Sequence, residues 1–296
     1  MLFAAIDIGS NAARLLFANA YRKAGVIKID KASIIRIPTR LGEDVYKDQI
    51  ISPSKARNFI KTMQAFKLLI DVYDPVSFKV YATAAMREAK NSEAIIKKVK
   101  KETGLKIKVI DGKKEADIIR SVSKLLFPLP KPYTLHMDMG GGSTELSVEK
   151  DGKLIKQKSF KIGTLRMLSG KVYTNILEDM TKWICTFSSS HKDFQMIGTG
   201  GNINKLCKVF GNIDNKQLSI SQLEKAHTQL KSLNINQRIK TFGFRPDRAD
   251  VIEPAAFLYL FMMKKLKMNS IFVPRIGLTN GLILKQYVDF LERNDL

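Results

Sequence analysis

An α/β fold in two halves is what this sequence predicts, and three observations predict it. Short apolar, strand-like runs alternate with longer stretches of helical spacing along most of the chain. A strand, an Asp-x-Gly loop and a second strand occur twice, as "FAAIDIGSNAARLLF" at 3–17 and "LHMDMGGGSTELSV" at 135–148. Between the halves lies "PLPKPY", residues 128–133, whose prolines read as a linker or hinge.

The elements follow in order. Apolar runs at 2–8 and 13–20 flank the turn-like "DIGSN" and predict a hairpin. "AGVIKID" and "ASIIRIP" predict two further strands. Ser52 and Pro53 make a good helix start, and Phe59, Met63, Phe66 and Ile70 then recur at helical spacing. "FKVYATAA" reads as a strand running into a loop, and "SEAIIKKVKKETG" as a helix closed by Gly104. "KIKVI" is another strand, and a helix begins at or just after Gly112. In the second half, strands surround the triple-glycine loop, with "KDGK" as a hairpin turn. A mostly helical stretch follows, interrupted by "FQMIGTGGNINKL". "RPDRADVIEPAAFLYLFMMKKLKM" predicts one long amphipathic helix, "SIFVP" a short strand and "LTNGLILKQYVDFLE" the closing helix. The domains expected are 1–126 and 127–296, with a last helix at about 282–296 free to pack back on the first.

Composition narrows the class. An apolar share of 45% in 296 residues supports a sizeable core. No apolar stretch approaches the ~20 residues of a membrane span, and no basic region precedes the first apolar run, so neither membrane nor signal peptide is expected. Cys185 and Cys207, with the scattered His136, His191 and His227, lack metal or disulfide spacing, and a reduced cytoplasmic setting is expected. The formal charge of +22 points to a lysine-rich surface or a polyanionic ligand. Helix-turn-helix, zinc-finger and aromatic-basic signatures are missing, so nucleic acid is not expected.

The two glycine loops carry the chemistry. Glycine after Asp lets the backbone turn sharply and approach a ligand, and successive amides with Ser or Thr hydroxyls cradle phosphate oxygens. Asp7 and Asp138, at strand ends, are of the type that holds Mg²⁺, and Glu145 adds a carboxylate beyond the second loop. The expectation is a single phosphate site in a cleft between the halves, which the proline-rich connector lets open and close. Trp183 and His136 read as structural, and "GTGGNIN" at 198–204 as a tight strand-to-helix turn.

"AIDIGSNAARLLFA", "YATAAMREAKN", "VIDGKKEADII", "MDMGGGSTELSV" and "IGTGGNINKL" together resemble the exopolyphosphatase/guanosine-pentaphosphate phosphatase (Ppx/GppA) family, of the actin–Hsp70–sugar-kinase superfamily. The resemblance runs over nearly the whole chain, weakens after about residue 165, and fits a short, two-domain member. It implies two actin-like (ribonuclease H-like) domains and a magnesium-dependent phosphoanhydride hydrolase. Ser10, Asn11 and Arg14 match its first phosphate loop, and Thr83, Arg87, Glu88 and Asn91 its next segment. Gly140, Gly141, Gly142, Ser143 and Thr144 match the second loop, with Asp138 and Glu145 as the magnesium acids. Glu115 resembles the base that activates water, and Arg87 joins it as a catalytic candidate that binds phosphate oxygens.

Three positions depart from the family pattern. Lys114 replaces one acid of "E-E-A", "GLTNG" at 277–281 replaces "G-L-R-E-G", and Glu253 stands where a small residue is usual. The substrate implied is inorganic polyphosphate, with guanosine pentaphosphate as the alternative and a non-catalytic polyphosphate or alarmone sensor as a further one. A homodimer is a candidate assembly.

Overall fold

The structure is a computed structural model that describes residues 1–126, 131–170, 173–188 and 194–294, with only the backbone of residues 124, 126 and 188. The heart of the proposed hinge, 128–130, and His191 lie outside the described residues. The chain divides into two compact units, Met1–Leu126 with Ile276–Leu296, and Phe127–Arg275.

The first unit begins with β1 (Leu2–Ile8), β2 (Ala13–Lys23) and β3 (Val26–Ile37), an antiparallel meander. The two strands expected around residues 24–38 are one. The register slips between Phe17 and Ala18, which face Ser33 and Lys31, so Ala32 is the extra residue of a bulge. Pairing continues on either side of it, through the charged Asp30 and Lys31. Helices α1 (Leu41–Asp48) and α2 (Pro53–Tyr73) follow. The Ser52 side chain caps α2 by accepting from the Lys55 amide, and Pro53 opens it. Then come β4 (Ser77–Ala82), α3 (Ala84–Glu88), α4 (Ser92–Thr103), β5 (Ile107–Val109) and α5 (Gly112–Leu126). Gly104 ends α4 in the left-handed region at φ 73°. Asp111 caps α5, its Oδ1 accepting from the Lys114 amide at 2.7 Å. The strands order as β3-β2-β1-β4-β5, with β4 and β5 parallel to β1.

The second unit repeats this plan. It contains β6 (Tyr133–Met139), β7 (Thr144–Lys150), β8 (Lys153–Phe160), α6 (Thr164–Leu168), α7 (Thr174–Ser188), β9 (Phe194–Thr199) and α8 (Gly201–Phe210). The remainder is β10 (Gln217–Ser219), α9 (Ile220–Ser232), α10 (Ile235–Phe242), α11 (Pro246–Ala249), α12 (Ile252–Lys265) and β11 (Ser270–Phe272). The "KDGK" turn has positive φ at both Asp151 (47°) and Gly152 (71°), which suits a twisted two-residue hairpin. Strand order is β10-β11-β9-β6-β7-β8, so β8-β7-β6-β9-β11 reproduces the order of the first sheet. Two mixed sheets of one shared order, each an antiparallel meander continued by parallel strands, make the actin-like, ribonuclease H-like α/β class.

The long amphipathic helix expected at 245–268 is instead two, α11 and α12, broken around Asp250 and Val251. Helix α12 is buried on most of its surface, including Ile252, Ala256, Tyr259 and Met263, so its character is that of a core helix. Trp183 packs edge-on to Phe160 and Phe187 in this unit. His136 Nε2 lies 3.0 Å from Glu149 Oε2, a buried pair across β6 and β7. Glu253, one of the departures, lies 3.0 Å from His227 and ties α12 to α9. Among the described residues no helix is long and apolar enough to cross a membrane.

The last helix, α13 (Leu278–Arg293), packs in the first unit. Its Leu282, Ile283 and Tyr287 join Phe3, Ala5, Leu16 and Ile118, and Phe3 meets the Tyr287 ring edge-on. The "GLTNG" segment shapes its start. Asn280 Oδ1 accepts from the Gly277 amide at 3.1 Å, and a Cβ at Gly281 would stand 2.5 Å from the carbonyl oxygen of Ile118 in α5. Only glycine lets α13 come so close to α5, the helix that carries Glu115. Gly281→Ala should therefore destabilise the protein by about 1–3 kcal/mol in urea denaturation, despite the ~1 kcal/mol of helix propensity alanine gains. An unchanged or raised midpoint would show that the crossing is loose.

Candidate active site

In the first unit, β1 and β2 are joined by residues 9–12. The Gly9 amide donates to the Ala12 carbonyl at 3.1 Å and closes the turn. The loop is gripped by the start of α1, since the Gly42 amide donates to Ser10 O (2.9 Å) and the Arg40 amide to Asn11 O (3.0 Å). In a planar trans peptide, a carbonyl and the following amide point opposite ways. Turning the Ser10 and Asn11 carbonyls toward α1 therefore sends the Asn11 and Ala12 amides the other way. Ser10 Oγ, buried, lies 2.6 Å from the buried Tyr46 hydroxyl of α1.

The second unit repeats the device. The amides of Thr164, Leu165 and Arg166, at the start of α6, donate to the carbonyls of Gly140 and Gly141 at 2.8–3.1 Å. Arg166 Nε donates to the Gly142 carbonyl at 2.8 Å. The same peptide geometry turns the amides of Gly141, Gly142 and Ser143 away from α6, a row of donors of the kind that binds anions. Gly163 permits this grip, because a Cβ there would lie 2.5 Å from the Gly142 nitrogen. Thr144 is fully buried and donates its hydroxyl to Ile162 O at 2.6 Å, so within this unit it anchors the loop's exit.

At matching positions the two loops carry opposite chemistry. In the first unit the register sets Asp7 across from Arg14, and Arg14 Nη1 donates to Asp7 Oδ2 at 2.9 Å. Burial pushes the Asp7 carboxyl up from its ordinary value, and Arg14 offsets only part of that. In the second unit the register sets Asp138 across from Glu145, two carboxylates on one sheet face. Thr199 donates to Asp138, and Ser159 donates to Glu145 at 2.9 Å. Beneath them the buried Tyr259 hydroxyl donates to Thr199 O at 2.7 Å. Burial, then Asp138 and Glu145, raise its pKa well above the ordinary value, which keeps it a neutral donor.

Among the described residues no three His, Cys, Asp or Glu side chains cluster as a metal cage. Mg²⁺ does not require one: it is commonly held by one or two carboxylates and keeps several waters. Asp138, half-buried, and Glu145, buried, are a donor set of that kind. Asp7, the other acid expected, is instead engaged by Arg14.

Other expected residues fall in the first unit. The Thr83 amide donates to Ile8 O at 3.1 Å, which sets Thr83 beside the end of β1. Arg87 Nη1 donates to Ile110 O at 2.6 Å, bracing the segment just before α5. Asn91 both accepts from the Ile51 amide (3.0 Å) and donates to its carbonyl (2.8 Å), a clamp on the α1–α2 junction. Glu115 is partly exposed in the first turn of α5. "GTGGNIN" is a tight turn: at Gly200, φ 110°, a Cβ would sit 2.6 Å from the Met139 carbonyl oxygen. Sequence reasoning missed Tyr46, Arg166, Thr199 and Tyr259. Thr199 stood within the "GTGGNIN" motif, which was read only as a turn.

The model of the Ppx/GppA phosphatase family matches residues 28–289. Over 279 residues the chain is 30% identical to the bifunctional 3-dehydroquinate synthase/phosphatase of Fusobacterium nucleatum, a match covering 85% of this chain but 41% of that protein. It is 22% identical to exopolyphosphatase 1 of Mycobacterium leprae, over 97% of this chain and 89% of the relative. Among solved structures, an exopolyphosphatase from Cytophaga hutchinsonii has the same fold, with a TM-score of 0.85, 22% identity and 97% of both chains covered. The Aquifex aeolicus member of the Ppx/GppA family superposes with a TM-score of 0.76 at 25% identity, over 98% of each chain. Sheet order and the two glycine loops define an actin-like α/β protein, and the family match makes it a phosphatase, a hydrolase. The chain belongs to the Ppx/GppA phosphatase family.

The raised Asp7 pKa has a definite sign. The native state holds that proton more tightly than the unfolded chain, so stability falls as pH rises from the ordinary value near 3.8 through the raised one. Asp7→Asn removes this titration. In urea denaturations across that window, the stability of wild type relative to Asp7→Asn should decline with pH; a flat difference would refute the raised pKa.

Proposed function

We propose that this chain is a magnesium-dependent exopolyphosphatase, releasing terminal orthophosphate from inorganic polyphosphate. The observation that carries the reading is the paired Asp138 and Glu145 beside a loop whose amides are turned outward by α6. Relatives named exopolyphosphatase supply the substrate class.

The chemistry asked of the residues is modest, because phosphoryl transfer needs positioning and charge neutralisation more than covalent help. The amides of Gly141, Gly142 and Ser143, with the Ser143 hydroxyl, take phosphate oxygens. The Asn11 amide, with Ser10, Arg14 and Thr83, provides further donors. Asp138 and Glu145 would hold Mg²⁺, which when bound offsets the charge on the phosphoryl and leaving-group oxygens. Glu115 accepts a proton from water as its oxygen bonds to phosphorus and the bridging P–O bond breaks. Arg87 braces the chain ahead of that glutamate. Lys114, in place of an acid, leaves Glu115 as the carboxylate for this role. The charge of +22 gives a polyanionic substrate a favourable field.

Phosphate release with Mg²⁺ from short polyphosphate, long polyphosphate and guanosine pentaphosphate, side by side, tests the proposal. Glu115→Gln should lower kcat by about 10²–10⁴ while substrate binding survives, the range of general-base catalysis. Chelation with EDTA should stop release, and added Mg²⁺ should restore it. Faster turnover of guanosine pentaphosphate would replace the substrate. Tight binding without release by folded wild type would sink the hydrolase reading in favour of a sensor.

A further inference from the structure

The open edge of the first sheet carries an uneven charge. Between Lys97 and Lys114 the sequence holds eight lysines against two acids, Glu102 and Asp111. Both acids are engaged: Glu102 by Gln64 (2.8 Å) and Lys98 (3.9 Å), Asp111 by the amide of Lys114. Lys100, Lys101, Lys106, Lys108, Lys113 and Lys114 are all exposed. Among the described residues, none of these six has a carboxylate oxygen within 4.0 Å.

Their order is directional. Lys113 and Lys114 sit in the first turn of α5, beside Glu115. Lys108 lies on β5, the end strand of the sheet order, which among the described residues pairs with β4 alone. Lys106 precedes that strand, and Lys100 and Lys101 occupy the last turn of α4, whose buried face is Ile95, Val99 and Thr103. The lysines therefore run from the glutamate's helix down the sheet edge to the end of α4.

We propose that this edge is a track for the distal part of a linear polyphosphate chain, so that the protein prefers long chains to short ones. The proposal rests on the phosphatase reading above. Lysines are compact point charges that need no bidentate geometry, which suits a flexible polyanion with about one charge per phosphate. Single-stranded nucleic acid would call for aromatic platforms, and residues 97–114 contain no aromatic side chain. Edge lysines also discourage strand-to-strand aggregation, a role that would leave substrate affinity untouched.

The test is the quadruple variant Lys100→Gln, Lys101→Gln, Lys106→Gln, Lys108→Gln, which spares the residues next to Glu115. Direct binding of long polyphosphate, tripolyphosphate and a charge-matched RNA is measured at several salt concentrations, with phosphate release in parallel. Long-chain affinity should fall at least about tenfold, and its log–log salt slope by about three, at roughly 0.7 for each lysine–phosphate ion pair removed. Tripolyphosphate binding should stay within about twofold, and RNA should bind wild type at least about tenfold more weakly than long polyphosphate. Unchanged long-chain affinity and slope would overturn the proposal, as would equal losses for tripolyphosphate or RNA binding as tight as polyphosphate. A wild type that binds long chains through this edge yet releases no phosphate would overturn the hydrolase reading while supporting the track.

Discussion

A short helix holding the carbonyls of a glycine loop is the constraint on which both halves of this protein depend. Left alone, "DMGGGST" could adopt many conformations, and its amides would scatter. Amides at the start of α6 pin the carbonyls of Gly140 and Gly141, and the planar peptide then fixes where the following N–H groups point. Helix α1 does the same for Ser10 and Asn11. The outward-facing donors of each loop are thus oriented from behind, by residues that come well after the loop in the chain.

On this shared frame the two units have diverged at one facing pair. Asp7 meets Arg14, while Asp138 meets Glu145. The first pair settles its own charge; the second concentrates negative charge that invites a cation. The residue that faces the strand-end aspartate, Arg14 or Glu145, therefore decides which loop has its acid paired with a cation and which sets two carboxylates side by side. Tyr259, held neutral below the acids, adds no further charge to them.

Much of the fold was legible because apolar spacing, Ser52–Pro53, Gly104 and "KDGK" each have a local physical meaning. What escaped depended on distant partners. The bulge between Phe17 and Ala18 exists only in the pairing of β2 with β3, so "AGVIKID" and "ASIIRIP" looked like separate strands. Helix α12 looked amphipathic because its lysines stand at one end, whereas the rest is enclosed by α8 and α9. At the site, the loops and acids were visible as motifs. Tyr46, Arg166 and Thr199 were not, since a hydroxyl or guanidinium far along the chain announces nothing about the group it will support.

The placement of α13 bears on how the molecule is made. Gln286 donates to the carbonyl of Ala4 and accepts from Ser77, hydrogen bonds that span 282 and 209 positions of sequence. Residues 1–126 therefore cannot complete their core during synthesis until the helix at 278–293 has emerged. The second unit, continuous from 127 to 275, has all its own chain earlier. During synthesis the first sheet waits with the face meant for Leu282 and Ile283 uncovered, a stage at which exposed apolar surface is most prone to association. The last helix is the one that ends this wait.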